Sequence, residues 1–332
     1  MKHLFIINHN SLRRKYRGQD YLEKFTEAIK DCFQGKKHYF IHLSRYPRDA
    51  IGFIRSFREG LDPAQTLRVY AVGGNRILFD CLNGIMGLAN MELAAVPYGI
   101  SNDLVRAFGD NNESLFRNIP EQIAAEAIPT DLMSCGSNFA LNFCTIGMES
   151  AIIKKVMDRY SSISLYSSHF PHIDALIFNF LFAHASLQVG FNPAIRNQCY
   201  TITVDGEDLS GYYRSVNIAN SPCYGRNKNP VITAVPDDGL LDIVLCPSLK
   251  PLRTLALIPP YISGKYQQFP GEFIWRRGRK IHIHSDYPLL VCLDGEAFYD
   301  TSLNIEVIPA GVSINAPGKK RYEKRAQWHE MG

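Results

Sequence analysis

The 332-residue chain lacks most of the patterns that assign a protein at a glance. Its eight cysteines (Cys32, Cys81, Cys135, Cys144, Cys199, Cys223, Cys246 and Cys292) form no C-x-x-C pair and no zinc-like spacing, so they read as reduced thiols. No apolar run reaches membrane-span length. The longest, Ala175 to Ala183, carries Asn179 and is about half of what a span needs. The run Leu4 to Ile7 is too short for a signal-peptide core. A formal charge of +4 is small for this length and does not call for nucleic acid. Neither an internal repeat nor a low-complexity linker is visible. These absences leave the expectation of a cytoplasmic globular protein, with any membrane contact peripheral and no nucleic-acid partner.

With 46% hydrophobic and 20% charged residues, the chain can bury a large core as one big domain or two ordinary ones. Its first third alternates strand-like and helix-like segments: Leu4–Asn8, Gln19–Phe33, His38–Leu43, Pro47–Phe57, Leu67–Val72, a helix from about Ile77 to Met86, and Leu93–Val96. That alternation predicts a parallel sheet with helices on its faces. From about Pro129 the texture changes to short runs punctuated by Gly, Pro, Asn and Asp: Asn138–Cys144, Cys199–Val204, Tyr213–Ala219, Asp242–Leu245, Lys280–His284, Leu289–Leu293 and Asn304–Ile308. This predicts an antiparallel sandwich or barrel, interrupted by helices over Ile152–Tyr160 and Ile173–Ala185. The expected fold class is thus an α/β N-terminal domain with a parallel sheet (1–128) plus a C-terminal antiparallel β-sandwich domain (129–310), followed by a segment with a basic tail (311–332).

Four stretches carry candidate chemistry. Gly73-Gly74-Asn75-Arg76-Ile77 joins a strand to a helix that ends at Asn83-Gly84. Backbone N–H groups at a helix start make such a turn a natural anion site, although a glycine pair serves equally as a tight turn without a ligand. Pro97-Tyr98-Gly99-Ile100-Ser101-Asn102-Asp103 follows, with Arg106 one turn on. There Asp103 can hold a metal-bound water, and Asn102 reads as ligand or as helix N-cap. The third stretch runs from Asp131 through Phe143 to Gly147. The fourth is Leu293-Asp294-Gly295-Glu296, in which the aspartate is a proton acceptor or simply part of a β-turn. A second copy of that tripeptide, Asp205-Gly206-Glu207, reads as a hairpin turn. His282-x-His284 puts two imidazoles on one strand face with no evident third metal ligand. The runs Arg276-Arg277-Gly278-Arg279-Lys280 and Lys319-Lys320-Arg321, extended by Lys324 and Arg325, read as solvated surface or, with Trp275 and Trp328 beside them, as seats for anionic lipid headgroups. Ile173–Ala185 reads as core in preference to a lipid chute.

In their order and spacing these stretches resemble the diacylglycerol kinase catalytic family, which includes sphingosine kinases and bacterial lipid kinases. The family pattern is G-G-D-G-T then N-G, P-x-G-T-x-N-D-x-x-R, an aspartate before an F-x-N-x-x-x-x-G stretch, and D-G-E. Asn138–Gly147 fits the third element, and Pro236-Asp237-Asp238-Gly239-Leu240-Leu241-Asp242 resembles a P-x-x-D-G-x-L-D stretch. The resemblance covers roughly residues 4 to 310. It implies that the first domain binds nucleotide and the second takes lipid, that ATP and Mg²⁺ are the cofactors, and that a chain segment after the sandwich returns to the first domain. It also implies roles: Asp294 as general base supported by Glu296; Gly73, Gly74, Asn75, Arg76, Asn102 and Asn8 around the nucleotide; Asp103, Asp131 and Arg106 in a metal and water network.

The same alignment marks departures. Asn75, Arg76 and Ile77 stand where the family has Asp, Gly and Thr, Ile100 stands for a threonine, and Asn8-His9-Asn10-Ser11-Leu12 replaces N-P-x-x-G. An arginine in the loop either blocks a phosphate site or pairs with an anion. Two readings follow: a lipid kinase transferring the γ-phosphate of ATP to a diacylglycerol- or sphingosine-like hydroxyl, and a catalytically silent relative that binds lipid or nucleotide as a sensor. The expected partners are a lipid substrate and an anionic membrane surface, with a homodimer left open.

Overall fold

The computed structural model describes residues 1–8, 20–34, 38–99, 101–167, 171–196, 198–225 and 228–324. Ile100, the stretch His9 to Leu12, Arg325 and Trp328 lie outside the described residues. The chain forms two compact units, Met1–Leu132 with Pro309–Glu323, and Met133–Ile308 with Lys324–Gly332.

In the first unit, β1 (Lys2–Asn8), β2 (Tyr39–Ser44), β3 (Leu67–Gly73) and β4 (Met91–Pro97) pair in parallel in the order β2-β1-β3-β4. Phe5 stands opposite Ile41 on one side and Tyr70 on the other. β3 is buried along its whole length and reads as an apolar run broken only by Arg68, whose guanidinium bonds Glu92 and the Gln122 and Ala125 carbonyls. The amphipathic helix α1 (Asp20–Cys32) lays Phe25 and Ile29 on Phe5, Ile7, Tyr70, Val72 and Val96. α2 (Asp49–Glu59) and α3 (Asn75–Ile85) approach closely, since a Cβ on Gly84 would lie 2.9 Å from the Ile54 side chain. Arg55 donates to the Asn83 carbonyl, and the Asn83 side chain donates to Phe79 O. Asn83-Gly84 therefore serves helix packing.

After β4 come the short helices α4 (Asp103–Ala107), α5 (Glu113–Arg117) and α6 (Ile119–Ala124). Asn118 caps α6 by accepting the Glu121 N–H at 3.3 Å, with Pro120 in the first turn where its missing N–H costs nothing. The chain leaves this unit within β5 (Ala127–Cys135).

The second unit contains β6 (Asn138–Ala140), β7 (Phe143–Gly147), α7 (Met148–Ser167), α8 (Pro171–Gly190), β8 (Cys199–Val204), β9 (Glu207–Asp208), β10 (Gly211–Ala219), β11 (Leu241–Pro247), α9 (Pro251–Ile262), β12 (Ile274–Gly278), β13 (Lys280–Leu293) and most of β14 (Glu296–Asn315). Its strands are antiparallel in the order β12-β11-β10-β7-β13-β14, with β8 against β13. The runs read as two strands, Lys280–His284 and Leu289–Leu293, are one strand with an irregularity between them. Helix α9 is absent from the sequence reading because Pro259-Pro260 argue against a helix interior; Pro251 at its first position marks its start. β14 carries the chain back to the first unit, where Ile314 pairs in parallel with Leu93, and Tyr322 meets Thr130 Oγ1 at 2.7 Å.

Helix α8 corrects one expectation. Leu181, Ala185 and Val189 are buried, but Leu176 and Phe180 are 69% and 70% exposed, so the part of the expected core segment from Leu176 to Ala185 is core on one face only. Arg276 is held by Glu207, and Arg277 by Asp238 and Asp242, so those two members of the basic run are engaged with carboxylates of their own unit. Trp275 donates its indole N–H to Asp242.

Candidate functional site

In the first unit the glycine loop closes on its neighbour. The N–H groups of Tyr98 and Gly99 both donate to the Gly73 carbonyl at 2.8 Å, and the Asn75 N–H donates to Ser101 O at 3.1 Å. A Cβ on Gly99 would lie 2.1 Å from the Gly74 Cα, so neither backbone tolerates a side chain at that crossing. The Asn75 amide then bonds Asp103 in both directions: its Nδ2 donates to Asp103 Oδ2 at 2.6 Å, and its Oδ1 accepts the Asp103 N–H at 3.0 Å. Ser101 donates to the other Asp103 oxygen at 2.6 Å. Asp103 itself is 2% exposed.

A void of only about 10 Å³, the space of about one water, lies beside this loop, lined by Gly73, Gly74, Asn75 and Asn102 among others. Asn102 occupies the N-cap position of α4, but its side chain makes no cap bond and points instead to Gly99 O and Glu113. Ile77 is buried and does not line the void, so the position the family gives to threonine faces the core here. Arg76 is exposed and Asn8 ends β1 opposite Ser44. Arg106 lies 3.9 Å from Asp110. Asp131 is on β5, where its carboxylate accepts the N–H of Ala310, a residue with φ of 50°.

Asn75, Asn102 and Asp103 are thus brought together, with Ser101 as the member that sequence reasoning missed. A hydroxyl beside an N-D pair is too common a feature to single out. A directly ligated Mg²⁺ does not fit these residues. Both Asp103 oxygens already accept hydrogen bonds, and among the described residues no three acidic, histidine or cysteine side chains converge. His282, read as half of a metal pair, contacts Asn304 Oδ1 at 2.8 Å.

In the second unit Asp294 and Gly295 form the β13–β14 turn with φ of 46° and 94°, the left-handed pair of a type I′ hairpin. Asp205 and Gly206, with φ of 48° and 91°, make the same turn between β8 and β9. Both aspartates use the carboxylate alike. Asp205 accepts the N–H groups of Arg279 and Lys280, and Asp294 accepts those of Leu141, Asn142 and Phe143, the shortest at 2.7 and 2.8 Å. The difference is burial, for Asp205 is exposed and Asp294 only 5% exposed. Asp242 of the P-x-x-D-G-x-L-D stretch is fully buried and accepts from Thr233, Trp275 and Arg277. Burial pushes its carboxyl above the ordinary value while those donors pull the other way.

The second unit also holds a narrow apolar crevice with a cavity volume of about 40 Å³, walled by Met148 and Ile152 of α7, Phe182 of α8, Leu257 and Ile258 of α9, and Phe273. Its polar groups are few, chiefly Glu149, Ser215, Asn217 and Tyr261. Burial pushes the Glu149 carboxyl up to about 7, against the opposing pull of the Lys228 cation and the Tyr261 hydroxyl. Nothing in the sequence separates Glu149 from an ordinary acidic residue in a first helical turn.

Residues 2–135 match the family model for the diacylglycerol kinase catalytic domain, and residues 181–316 match that for the YegS C-terminal NAD kinase beta sandwich-like domain. A putative lipid kinase of Staphylococcus haemolyticus is 22% identical over 313 residues, 94% of each chain, and one of Staphylococcus epidermidis is 22% identical over 317 residues with the same coverage. A putative diacylglycerol kinase from Bacillus anthracis shares the fold, with a TM-score of 0.69 at 19% identity over 94% of this chain and 96% of its own. Two matches in this order along one chain, with relatives of the same extent, show that the protein belongs to the diacylglycerol kinase catalytic family and carries a YegS-type sandwich domain as its C-terminal part.

Proposed function

We propose that the protein is a lipid kinase that transfers the γ-phosphate of ATP to a hydroxyl of a diacylglycerol- or sphingosine-like lipid. The observation that carries this reading is the pair of family matches in order along one chain, and the narrow crevice of the second unit adds apolar walls with a few polar groups, the lining that a hydrocarbon chain with one polar head would meet. In the first unit, Gly73 and Gly74 keep the backbone bare at the start of α3, Arg76 offers a cation there, and Asn75, Asn102, Arg106 and Asn8 complete the surroundings of the phosphates. Asp103 and Asp131 order water and backbone near them. Asp294 accepts the proton of the lipid hydroxyl with Glu296 in support, and the N–H groups it already holds make it a weaker base than an open carboxylate.

A second reading, a catalytically silent relative that binds lipid, is favoured by one observation: the Asn75–Asp103 pair satisfies itself without a ligand. Labelled ATP with Mg²⁺ and a panel of diacylglycerols, monoacylglycerols and sphingoid bases separates the two. Label appearing in a lipid product supports the kinase. Bound lipid without any product in the whole panel leaves the silent relative.

A further inference from the structure

The polar groups of the narrow crevice fall into two sets. Ser215 and Asn217 satisfy each other, hydroxyl to amide oxygen, at 3.2 Å. Glu149, in the first turn of α7, and Tyr261, in the last turn of α9, are near enough for the phenol to pull on the ionisation of the carboxyl. Yet the Tyr261 hydroxyl, on a side chain only 8% exposed, makes no hydrogen bond of ordinary geometry among the described residues. Tyr224, stacked on Phe143 at 4.6 Å and equally buried, is close enough to Glu149 to feel its charge, and its hydroxyl is left without a bond in the same way. Buried hydroxyls are paired with few exceptions, so two orphans around one carboxyl point to a partner from outside the chain. The cavity of about 40 Å³ has room for about three waters, or for one small polar group.

The charges nearby say what kind of group that is. Lys228 holds its ammonium 3.0 Å above the ring of Phe182, a wall of the crevice, and acts on Glu149 from there. Burial nevertheless brings the Glu149 carboxyl up to about 7, so near neutral pH it carries its proton about half the time. The other titratable groups that face it are Tyr224, Tyr261, Cys246 of β11 and Cys292 of β13, all pushed upward by burial and neutral at ordinary pH. A cationic head brought here meets Lys228, and an anionic head meets Glu149 as soon as that ionises. An uncharged acceptor meets three donors, the two phenol O–H groups and the carboxyl O–H. A carbonyl oxygen with its two lone pairs has the matching chemistry.

We propose that Glu149, Tyr224 and Tyr261 are specificity residues that receive an ester carbonyl of an acylglycerol, and that Lys228 beside them turns away the ammonium of a sphingoid base. Glu149 takes part as a donor, in its protonated form, and so differs in role from Asp294, the proposed proton acceptor. The inference deepens the lipid-kinase reading and rests on it for placing the lipid in the crevice. It is therefore tested by binding, without nucleotide.

Radiolabelled dioctanoylglycerol and sphingosine, each in the same non-ionic micelles, are titrated against the full chain. Dioctanoylglycerol should bind at least about tenfold more tightly than sphingosine, and Lys228→Met should narrow that gap. Tyr261→Phe keeps the ring and removes the unpaired hydroxyl, so it should unfold at the wild-type temperature and bind dioctanoylglycerol about tenfold more weakly. Wild-type affinity for dioctanoylglycerol should fall about tenfold from pH 6 to pH 8, as Glu149 loses the proton it donates. Glu149→Gln, whose amide donates at every pH, should flatten that profile, a change that a merely structural role for Glu149 does not produce. Sphingosine bound as tightly as dioctanoylglycerol overturns the proposal. Wild-type affinity in Tyr261→Phe, a wild-type profile flat from pH 6 to 8, or no binding of either lipid does the same. A chain that binds dioctanoylglycerol with the expected pattern yet transfers no phosphate to it counts against the kinase reading alone.

Discussion

Replacing Asp294 by asparagine is the usual test of a catalytic carboxylate, and this fold makes its outcome twofold. Asn tolerates the left-handed φ of 46°, so the turn itself keeps its backbone. The loss falls on the Leu141–Phe143 segment, whose N–H groups reach Asp294 Oδ2 at 2.7 Å and Oδ1 at 2.8 Å. One carboxylate oxygen becomes an amide NH₂ facing a buried donor. A charge-assisted bond of about 1.5–3 kcal/mol is lost there and the other bonds become neutral ones, for a total of about 2–4 kcal/mol. The matching change at Asp205, exposed and with the same turn geometry, should cost under about 1 kcal/mol because water replaces the lost partner. Urea titration followed by tryptophan fluorescence reads the second unit directly, since Trp275 lies on β12. An Asp294→Asn variant as stable as wild type, with phosphoryl transfer abolished, would refute the structural argument and make Asp294 a base alone. Lost transfer with lost stability would be no evidence for base catalysis.

Other expectations follow from the same contacts. Gly99→Ala puts a methyl 2.1 Å from the Gly74 Cα, forces the two loops apart, and should destabilise the first unit by about 2 kcal/mol or more while weakening any nucleotide binding, as calorimetry can show. Glu149 ionises near 4.5 when unfolded but only near 7 when folded, because burial outweighs Lys228 and Tyr261. Its contribution to stability is therefore full below about pH 4.5, falls as pH rises and is gone above about 7, and Glu149→Gln should remove that slope, worth at most about 3 kcal/mol, in unfolding curves compared across this range.

How much was legible depends on which physical signal each element carries. β1, β3 and α1 are written in apolar runs and helical periodicity, and they lie within two or three residues of where the pattern puts them. The join of Lys280–His284 with Leu289–Leu293 was not readable, because Ser285, Asp286 and Pro288 look like a turn although the strand continues through an irregularity. The long β14 hides behind Asp300 and Pro309, and its return beside β4 is a tertiary choice that no local pattern encodes. At the site, residue types were legible and contacts were not. Asp131 and Asp294 are recognisable as motif carboxylates, yet their bonds to Ala310, Leu141 and Phe143 span more than a hundred residues of sequence.

Asn75 is the departure with the clearest physical meaning. Its Nδ2 stands 2.6 Å from Asp103 Oδ2. Two carboxylates hold such a distance only with a proton or a cation between them, because like charges that close cannot both ionise freely. The amide supplies the N–H that a bound cation would otherwise replace, and Oδ1 takes the Asp103 N–H at the same time. The loop therefore keeps its shape with no ion present, and Arg76 places the positive charge at the start of α3, where a helix N-terminus favours an anion over a cation. Asn75→Asp restores the repulsion. It should lower the unfolding temperature in chelator by several degrees, with recovery on adding millimolar Mg²⁺, whereas the native chain should show no such Mg²⁺ dependence in the absence of nucleotide. A native protein stabilised by Mg²⁺ alone would mean that a cation competes with the Asn75–Asp103 pair after all, and the self-satisfied loop would no longer favour a silent relative over an enzyme.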